Sequence, residues 1–317
     1  MCRWKRVCVL LMVMAILSVS WSDVMAKIGT DQKHRFTWIN PVSGEEYWEK
    51  AEKGMEKAAE KYGVDIETIN IEQLSKERYV YALEEAKASK TEGILAVGWK
   101  YDAVEEEIKK ITDEGIPVIY IDTDIEDSSR ICFVGSDNYQ AGILAGKEIV
   151  RVTGGKGCVG LLRLSLVENQ EKRLDGIKSV LNDYPDIRLI NVNDEFTEKE
   201  SMNKNASMKR VQNMLEKYPD MTVIIGTNAY ETVAAGTVVE AMGCVGKIQI
   251  IGFDDNEETI DYMKKGVIDA VVVQQPEMMG YYGVKILNEM VEGQELEDSE
   301  IYTQLSVLRA EDLKMAE

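Results

Sequence analysis

Short β-branched runs ending in polar residues alternate along this chain with charged stretches whose apolar positions recur at helical spacing. The first runs are RFTWIN (35–40), VDIETINI (64–71), GILAVGW (93–99), IPVIYID (116–122) and ICFVGSD (131–137). A second set follows: GCVGLLRL (157–164), IRLINVN (187–193), MTVIIGTN (221–228), IQIIGFDD (248–255) and DAVVVQQ (269–275). Each has the length and residue type of a strand. Between them, EEYWEKAEKGMEKAAEKYG (45–63) places Trp48, Met55 and Ala59 on one stripe, and YDAVEEEIKKITDEG (101–115) and NMLEKYPD (213–220) are similar. Most connections close on Gly or Pro just before the next strand.

Strand–helix alternation of this kind predicts parallel sheets covered by helices on both faces. The ten strands divide into two sets of five near VTGGKG (152–157). The expected architecture is α/β: two doubly wound parallel-sheet lobes of similar size. Because PEMMGYYGVKILNEMVEG (276–293) follows the tenth strand, more than one crossing between lobes is expected.

The N-terminus reads differently. MCRWKR is basic, VCVLLMVMAILSV (7–19) is apolar, and Val24 and Ala26 occupy the small-residue positions of a cleavage site. That order is a secretory signal over residues 1–26, and the apolar run is short of the roughly 20 residues needed to span a bilayer. Export with cleavage is expected, with an uncleaved anchor as the alternative. No cysteine follows the apolar run to carry a lipid.

The chain of 317 residues carries a formal charge of −19; residues 1–26 hold three basic side chains and one acidic, so the remainder stands at −21. A nucleic-acid binder needs a basic patch, and none exists beyond the first six residues. Cys132, Cys158 and Cys244 are scattered and lack C-x-x-C spacing, which predicts buried small residues without a disulfide framework or zinc site. His34 is the only histidine, which removes most histidine-based catalysis and metal binding.

Ligands of open parallel sheets bind beyond the carboxyl ends of the strands. Those ends carry Asn40, Trp99, Asp122, Ser136 with Asp137, Asn228, Asp254 and Gln274, with Tyr47, Trp48, Arg173 and Phe196 nearby. Amides, carboxylates, a guanidinium and aromatic faces suit a hydroxylated ring: polar groups take its hydroxyls and rings cover its C–H faces. Each also has a plainer use, as helix cap, turn former or packing residue. The acidic stretch IIGFDDNEE (250–258) fails the calcium-loop pattern, since Thr259 and Lys265 stand where glycine and glutamate are required. Strand alternation points Asp254 and Asp255 opposite ways, leaving Asp254 for the cleft and Asp255 with Asn256 for turn or capping duty. No phosphate loop, nucleophile elbow or Cys–His pair is present.

Five stretches in order, EGIPVIYID (114–122), VGSDNYQAGILAG (134–146), GTNAYETVAAG (226–236), IIGFDDNEE and VVVQQPEMMGYYGV (271–284), resemble the type I periplasmic binding proteins of the ribose-binding kind. The resemblance covers about residues 34–308. It implies ligand contacts at Tyr47, Trp48, Asp122, Arg173, Phe196, Asn228, Phe253, Asp254 and Gln274, to which the strand-end position of Trp99 adds a tenth candidate. It also implies hinge crossings at Ser136 and Asp137, at Gln275, and at Thr303. The first lobe would then comprise 27–136 with 276–302, and the second 137–275 with 303–317. The chain departs from the ribose-type pattern at Val97–Trp99, where that pattern has an asparagine, and at Thr123, where it has an arginine. The loop NPVSGEEYW (40–48) is longer and adds Glu45 and Glu46.

The function so implied is that of an exported, monomeric solute-binding protein without cofactor or metal, not an enzyme. It would capture a monosaccharide, polyol or sugar-like signal and present it to an ABC permease or to the ectodomain of a sensor kinase. A sugar-responsive regulator is disfavoured because the signal occupies the place of a helix-turn-helix. An exported enzyme using Asp122 and Asp254 as acid and base lacks a nucleophile or metal set.

Overall fold

The computed structural model of the protein describes residues 33–71, 75–163, 168–191 and 204–315. The signal-like segment 1–26 and Phe196 lie outside the described residues. The chain begins with β1 (Arg35–Asn40), α1 (Glu46–Tyr62), β2 (Asp65–Asn70), α2 (Lys76–Ala88), β3 (Gly93–Ala96), α3 (Asp102–Asp113), β4 (Val118–Asp122) and β5 (Cys132–Gly135). It continues with α4 (Asn138–Thr153), β6 (Gly157–Leu162), α5 (Glu168–Leu181), β7 (Ile187–Asn191), α6 (Lys204–Lys217), β8 (Met221–Gly226), α7 (Ala229–Ala241), β9 (Gln249–Phe253), α8 (Glu257–Lys264) and β10 (Ala270–Val273). Last come α9 (Pro276–Val291), β11 (Glu300–Tyr302), β12 (Ser306–Arg309) and α10 (Ala310–Met315).

Two sheets result, ordered β11-β5-β4-β3-β1-β2 and β12-β10-β9-β8-β6-β7. The same order in both makes β1 equivalent to β6, β3 to β8 and β4 to β9. The first sheet is parallel throughout. In the second, β12 alone runs antiparallel, against β10. Its direction follows from its route: β11 runs toward the carboxyl edge of the first sheet, and the chain crosses from there straight into the facing edge of the second. No helical crossover intervenes to turn it round. Neither β11 nor β12 stands out in the hydrophobic pattern, because both are short, half-exposed edge strands.

The inner strands of both sheets are buried on both faces, as a helix-covered parallel sheet requires, while edge strand β2 stays largely exposed. Phe36, Trp38, Leu95, Ile119, Ile121 and Val134 pack with α1 and α9, while Ile39, Ile94, Ala96 and Tyr120 pack with α2 and α3. In the second lobe Val159, Leu161, Val223, Ile225, Ile251 and Phe253 face α4 and α5, and Leu162, Ile224, Ile250 and Val271 face α6, α7 and α8. Cys132 and Cys158 are buried free thiols; Cys244 is free but only half-buried.

One helix pair in each lobe packs backbone to backbone. A Cβ on Gly54 of α1 would lie 1.8 Å from the Glu277 carbonyl oxygen, and one on Gly280 of α9 2.1 Å from that of Ala51. In the second lobe a Cβ on Gly142 of α4 would stand 2.1 Å from the Arg173 carbonyl oxygen, and one on Gly176 of α5 the same distance from that of Tyr139. Both α4 and α9 begin immediately after a passage from one sheet to the other, so these contacts seat each crossing segment on its new lobe. Gly142→Ala and Gly280→Ala are each expected to lose about 1–3 kcal/mol or more through overpacking against backbone that cannot rotate away, measured as a lower urea midpoint.

Candidate functional site

The carboxyl edges of the two sheets face one another, and equivalent strands deliver equivalent acids. Asp122 ends β4 and Asp254 follows β9, with φ of 68° and 71°. Left-handed backbone is unusual away from glycine, and its recurrence at both strand ends turns each side chain out of the strand alternation. Each aspartate has a polar partner on the helix that follows the first strand of its own sheet, α1 after β1 and α5 after β6. Tyr47 Oη donates to Asp122 Oδ1 at 2.5 Å. Arg173, on α5, acts on Asp254 by charge and through Gln274, which donates from Nε2 to Asp254 Oδ1 at 2.8 Å.

Arg173 organises the second lobe's floor. It is 3% exposed. Its Nε donates to Asn138 Oδ1 at 2.8 Å, one terminal nitrogen to the Thr227 carbonyl at 2.6 Å, and the other to Gln274 Oε1 at 2.9 Å. The guanidinium lies 4.2 Å from the Phe253 ring centroid. Phe253 is fully buried, so its ring serves as a floor for Arg173. Ser136 completes the cluster by donating to Gln274 Oε1 at 3.0 Å.

Charge and burial pull against each other here. Burial pushes the Asp254 carboxyl upward; Arg173 and the Gln274 amide oppose this without cancelling it, and Asp122 and Asp255 add to the rise. Burial lowers the Arg173 guanidinium, against the pull of Asp254 and Asp122. Burial, then Asp122 and Asp254, holds the Tyr47 phenol well above its usual range, so its hydroxyl remains a donor. One N–H on each terminal nitrogen of Arg173 and the second oxygen of Asp254 remain uncommitted among the described residues. A ligand offering adjacent hydroxyls could use all three.

Tyr47, Asp122, Arg173, Phe253, Asp254 and Gln274 are thus brought together. Others are placed differently. Trp48 meets Tyr47 edge-on at 5.1 Å between centroids and leans on Trp38 in the first lobe's core. Trp99 packs edge-on against Tyr101 at 4.8 Å and Tyr79 at 5.8 Å. Asn228 caps α7, its side-chain oxygen accepting from the Glu231 N–H at 3.0 Å. Asp255 does no capping: Asn256 alone caps α8, accepting from the Thr259 N–H at 2.8 Å. Asp255 instead pairs with Lys50 of the other lobe at 2.9 Å, because α1 brings an ammonium over it. Asp137 caps α4 through the Gln140 N–H, Ser136 and Gln275 flank the first two passages between sheets, and Thr303 donates its N–H to the Gly135 carbonyl at 2.7 Å in the third.

Asn169 was missed by sequence reasoning. Its Nδ2 reaches Thr123 Oγ1 at 3.0 Å and the Asp122 carbonyl at 3.2 Å, joining the two lobes. It stands four residues before Arg173, on the same helical face, which is the signal that would have singled it out. Thr123 also donates to Asp122 Oδ2 at 2.7 Å. A separate hollow of about 290 Å³ beside Ser136 is lined by Asp124, Phe133, Asp137, Tyr139, Glu168 and Tyr302 among others. No group of side chains with metal-ligand geometry occurs among the described residues.

The Asp254 shift has a measurable sign. A carboxyl raised by folding binds its proton more tightly in the folded state, so stability falls as pH rises from the unfolded to the folded pKa and stays lower above it. Asp254→Asn, free of that cost, is therefore expected to melt higher than wild type at neutral pH. The difference should vanish as the pH is lowered through the Asp254 pKa, in thermal melts across a pH series without added ligand.

Comparisons with known proteins bear on the family and the fold. A family model described as a periplasmic binding protein domain matches residues 36–295. The ribose import binding protein of Bacillus subtilis is 24% identical over 247 residues, covering 77% of each chain. Among solved structures, the glucose-galactose binding protein GanP of Geobacillus stearothermophilus is 34% identical, with a TM-score of 0.83 over 89% of this chain and 99% of that one. A chain of the XylFII-LytSN complex is 26% identical with a TM-score of 0.79, covering 88% and 99%. A fold of two parallel-sheet lobes, a matched model over most of its length and relatives of this kind place the chain in one group: it belongs to the periplasmic binding protein family.

Proposed function

We propose that the protein is an exported solute-binding protein for a single small hydroxylated ligand, a monosaccharide or polyol, held between Asp122 with Tyr47 and Asp254 with Arg173. The observation that carries this reading is the facing pair of strand-end aspartates, each turned into the cleft by left-handed backbone. Asp254 would take two hydroxyls of the ligand or share one with Arg173, while Tyr47 and Asp122 hold the opposite edge. The relatives named for ribose and for glucose and galactose support the ligand class. Ribose itself fits less well, because Thr123 is already committed to Asp122 and Asn169. The lobes, residues 27–136 with 276–302 and 137–275 with 303–317, would close by hinge motion at Ser136–Asp137, Gln275 and Thr303.

Thermal shift across aldopentoses, aldohexoses and polyols is expected to find a stabilising compound with a micromolar dissociation constant, about 8 kcal/mol of binding free energy. Asp254→Ala should weaken it by about tenfold to a hundredfold, since a lost charged hydrogen bond costs roughly 1.5–3 kcal/mol. If no compound stabilises the protein, or if Asp254→Ala binds as wild type does, the reading fails.

For the partner, an ABC permease is the first reading and a sensor-kinase ectodomain the second, the latter supported by the likeness to the XylFII-LytSN complex. Capture of the purified, sugar-loaded protein on immobilised permease or on a kinase ectodomain separates them.

A further inference from the structure

Three side chains from one stretch of the first lobe reach across to the second. Tyr230, at the start of α7, donates its hydroxyl to Glu45. Glu46 accepts from the backbone N–H of Glu257, the first residue of α8, at 2.8 Å. Lys50 donates to Asp255 Oδ1 at 2.9 Å and pairs with Glu46 at 3.0 Å. The contacts form one charged network, Asp255–Lys50–Glu46, ending on the positive pole of α8. The Lys50 and Asp255 side chains keep 29% and 39% of their exposure, so dissolved salt reaches them.

Tyr47 stands on the same helical turn, between Glu46 and Lys50. Docking Glu46 and Lys50 on the second lobe therefore fixes the backbone that carries the Tyr47 hydroxyl to Asp122. Burial pulls the Lys50 ammonium down, but Asp255 and Glu46 outweigh it and hold its pKa above the usual value. Burial pushes the Glu46 carboxyl up, and the Glu257 N–H with Lys50 outweighs that. Lys50 and Glu46 thus each hold their charged form more firmly in this arrangement than they would alone.

We infer that Glu45, Glu46 and Lys50, with Tyr230 and Asp255, form an electrostatic latch that holds the lobes together and positions Tyr47, making closure sensitive to ionic strength. The inference goes beyond the proposed ligand class but rests on it wherever a sugar is used as the readout. A neutral sugar has no charge for salt to screen, so any salt dependence of its affinity belongs to the protein's own closing contacts.

The test is titration calorimetry with D-ribose, D-xylose, D-glucose and D-galactose at about 0.01 M and about 1 M sodium chloride, where the Debye length falls from about 30 Å to about 3 Å. The sugar that binds is expected to lose about twofold to fivefold in affinity at high salt, the size of one solvent-exposed ion pair. Lys50→Met should be weaker at low salt by a similar factor, chiefly through faster release, and should respond less to salt than wild type, the remainder belonging to the other cross-lobe pairs, Lys172–Glu126 and Lys100–Glu168. Small-angle scattering without sugar provides the second measurement: wild type should expand from low to high salt, and Lys50→Met should be expanded at both. Sugar binding that ignores salt and is unchanged in Lys50→Met overturns the latch, as do scattering curves indifferent to salt and substitution. Failure of every sugar to bind counts against the proposed ligand, and the scattering then decides the latch alone.

Discussion

A single buried guanidinium ties this architecture together. Arg173 spends its three bonded donors on Asn138, just past the first passage between sheets, on the Thr227 carbonyl at the end of β8, and on Gln274 at the second passage. A buried cation is costly unless every neighbour answers it. Here the answering groups come from three separate parts of the chain, so satisfying one side chain fixes two crossings and a strand end together. Gln274 is oriented by Arg173 and Ser136 on its oxygen, which leaves its amide nitrogen aimed at Asp254. The position of the cleft aspartate is therefore inherited from the charge beneath it.

The second organising fact is repetition. Both sheets have one strand order, both lobes seat a crossing helix on glycine, and both end their fourth strand in a left-handed aspartate. The cross-lobe contacts follow the same rule. Residues after β1 meet those after β8 and β9, through Tyr230 and Asp255. Residues after β6 meet those after β3 and β4, through Glu168 to Lys100 at 3.7 Å and Asn169 to Thr123. Chemistry breaks the symmetry: a phenol attends one aspartate and a guanidinium influences the other.

Much of this was legible in the sequence because strand–helix alternation and strand-end polarity are local signals. The ten runs from RFTWIN to DAVVVQQ become ten of the twelve strands. The two missed strands are short and take their place from the crossings, which leave no periodicity to read. Within the site, strand alternation separated Asp254 from Asp255 in the sequence, although in the structure left-handed backbone at Asp254 sets its direction; the pattern could not show that Lys50 arrives over Asp255, since the two are brought together only by the facing of the lobes. Trp48 and Trp99 illustrate the converse. Their positions beside strand ends can be read locally, whereas their tilted and edge-on contacts with Trp38, Tyr79 and Tyr101 arise from packing that the hydrophobic pattern does not carry.

The order in which the sheets are completed bears on how the chain reaches its fold. The first sheet closes its edge with β11, paired to β5 from a point far along the sequence, and α9 covers its face against α1. Nothing before residue 300 can supply that edge. A growing chain thus carries β1 to β5 with an unpaired margin and a partly bare face while β6 to β10 are being made. Contacts of such long range are slow to form, so the first sheet waits for residues past the tenth strand, and the second waits slightly longer for β12. A chain truncated within α9 would leave an exposed strand edge open to pairing with other molecules, whereas one truncated after Tyr302 would retain the complete first sheet.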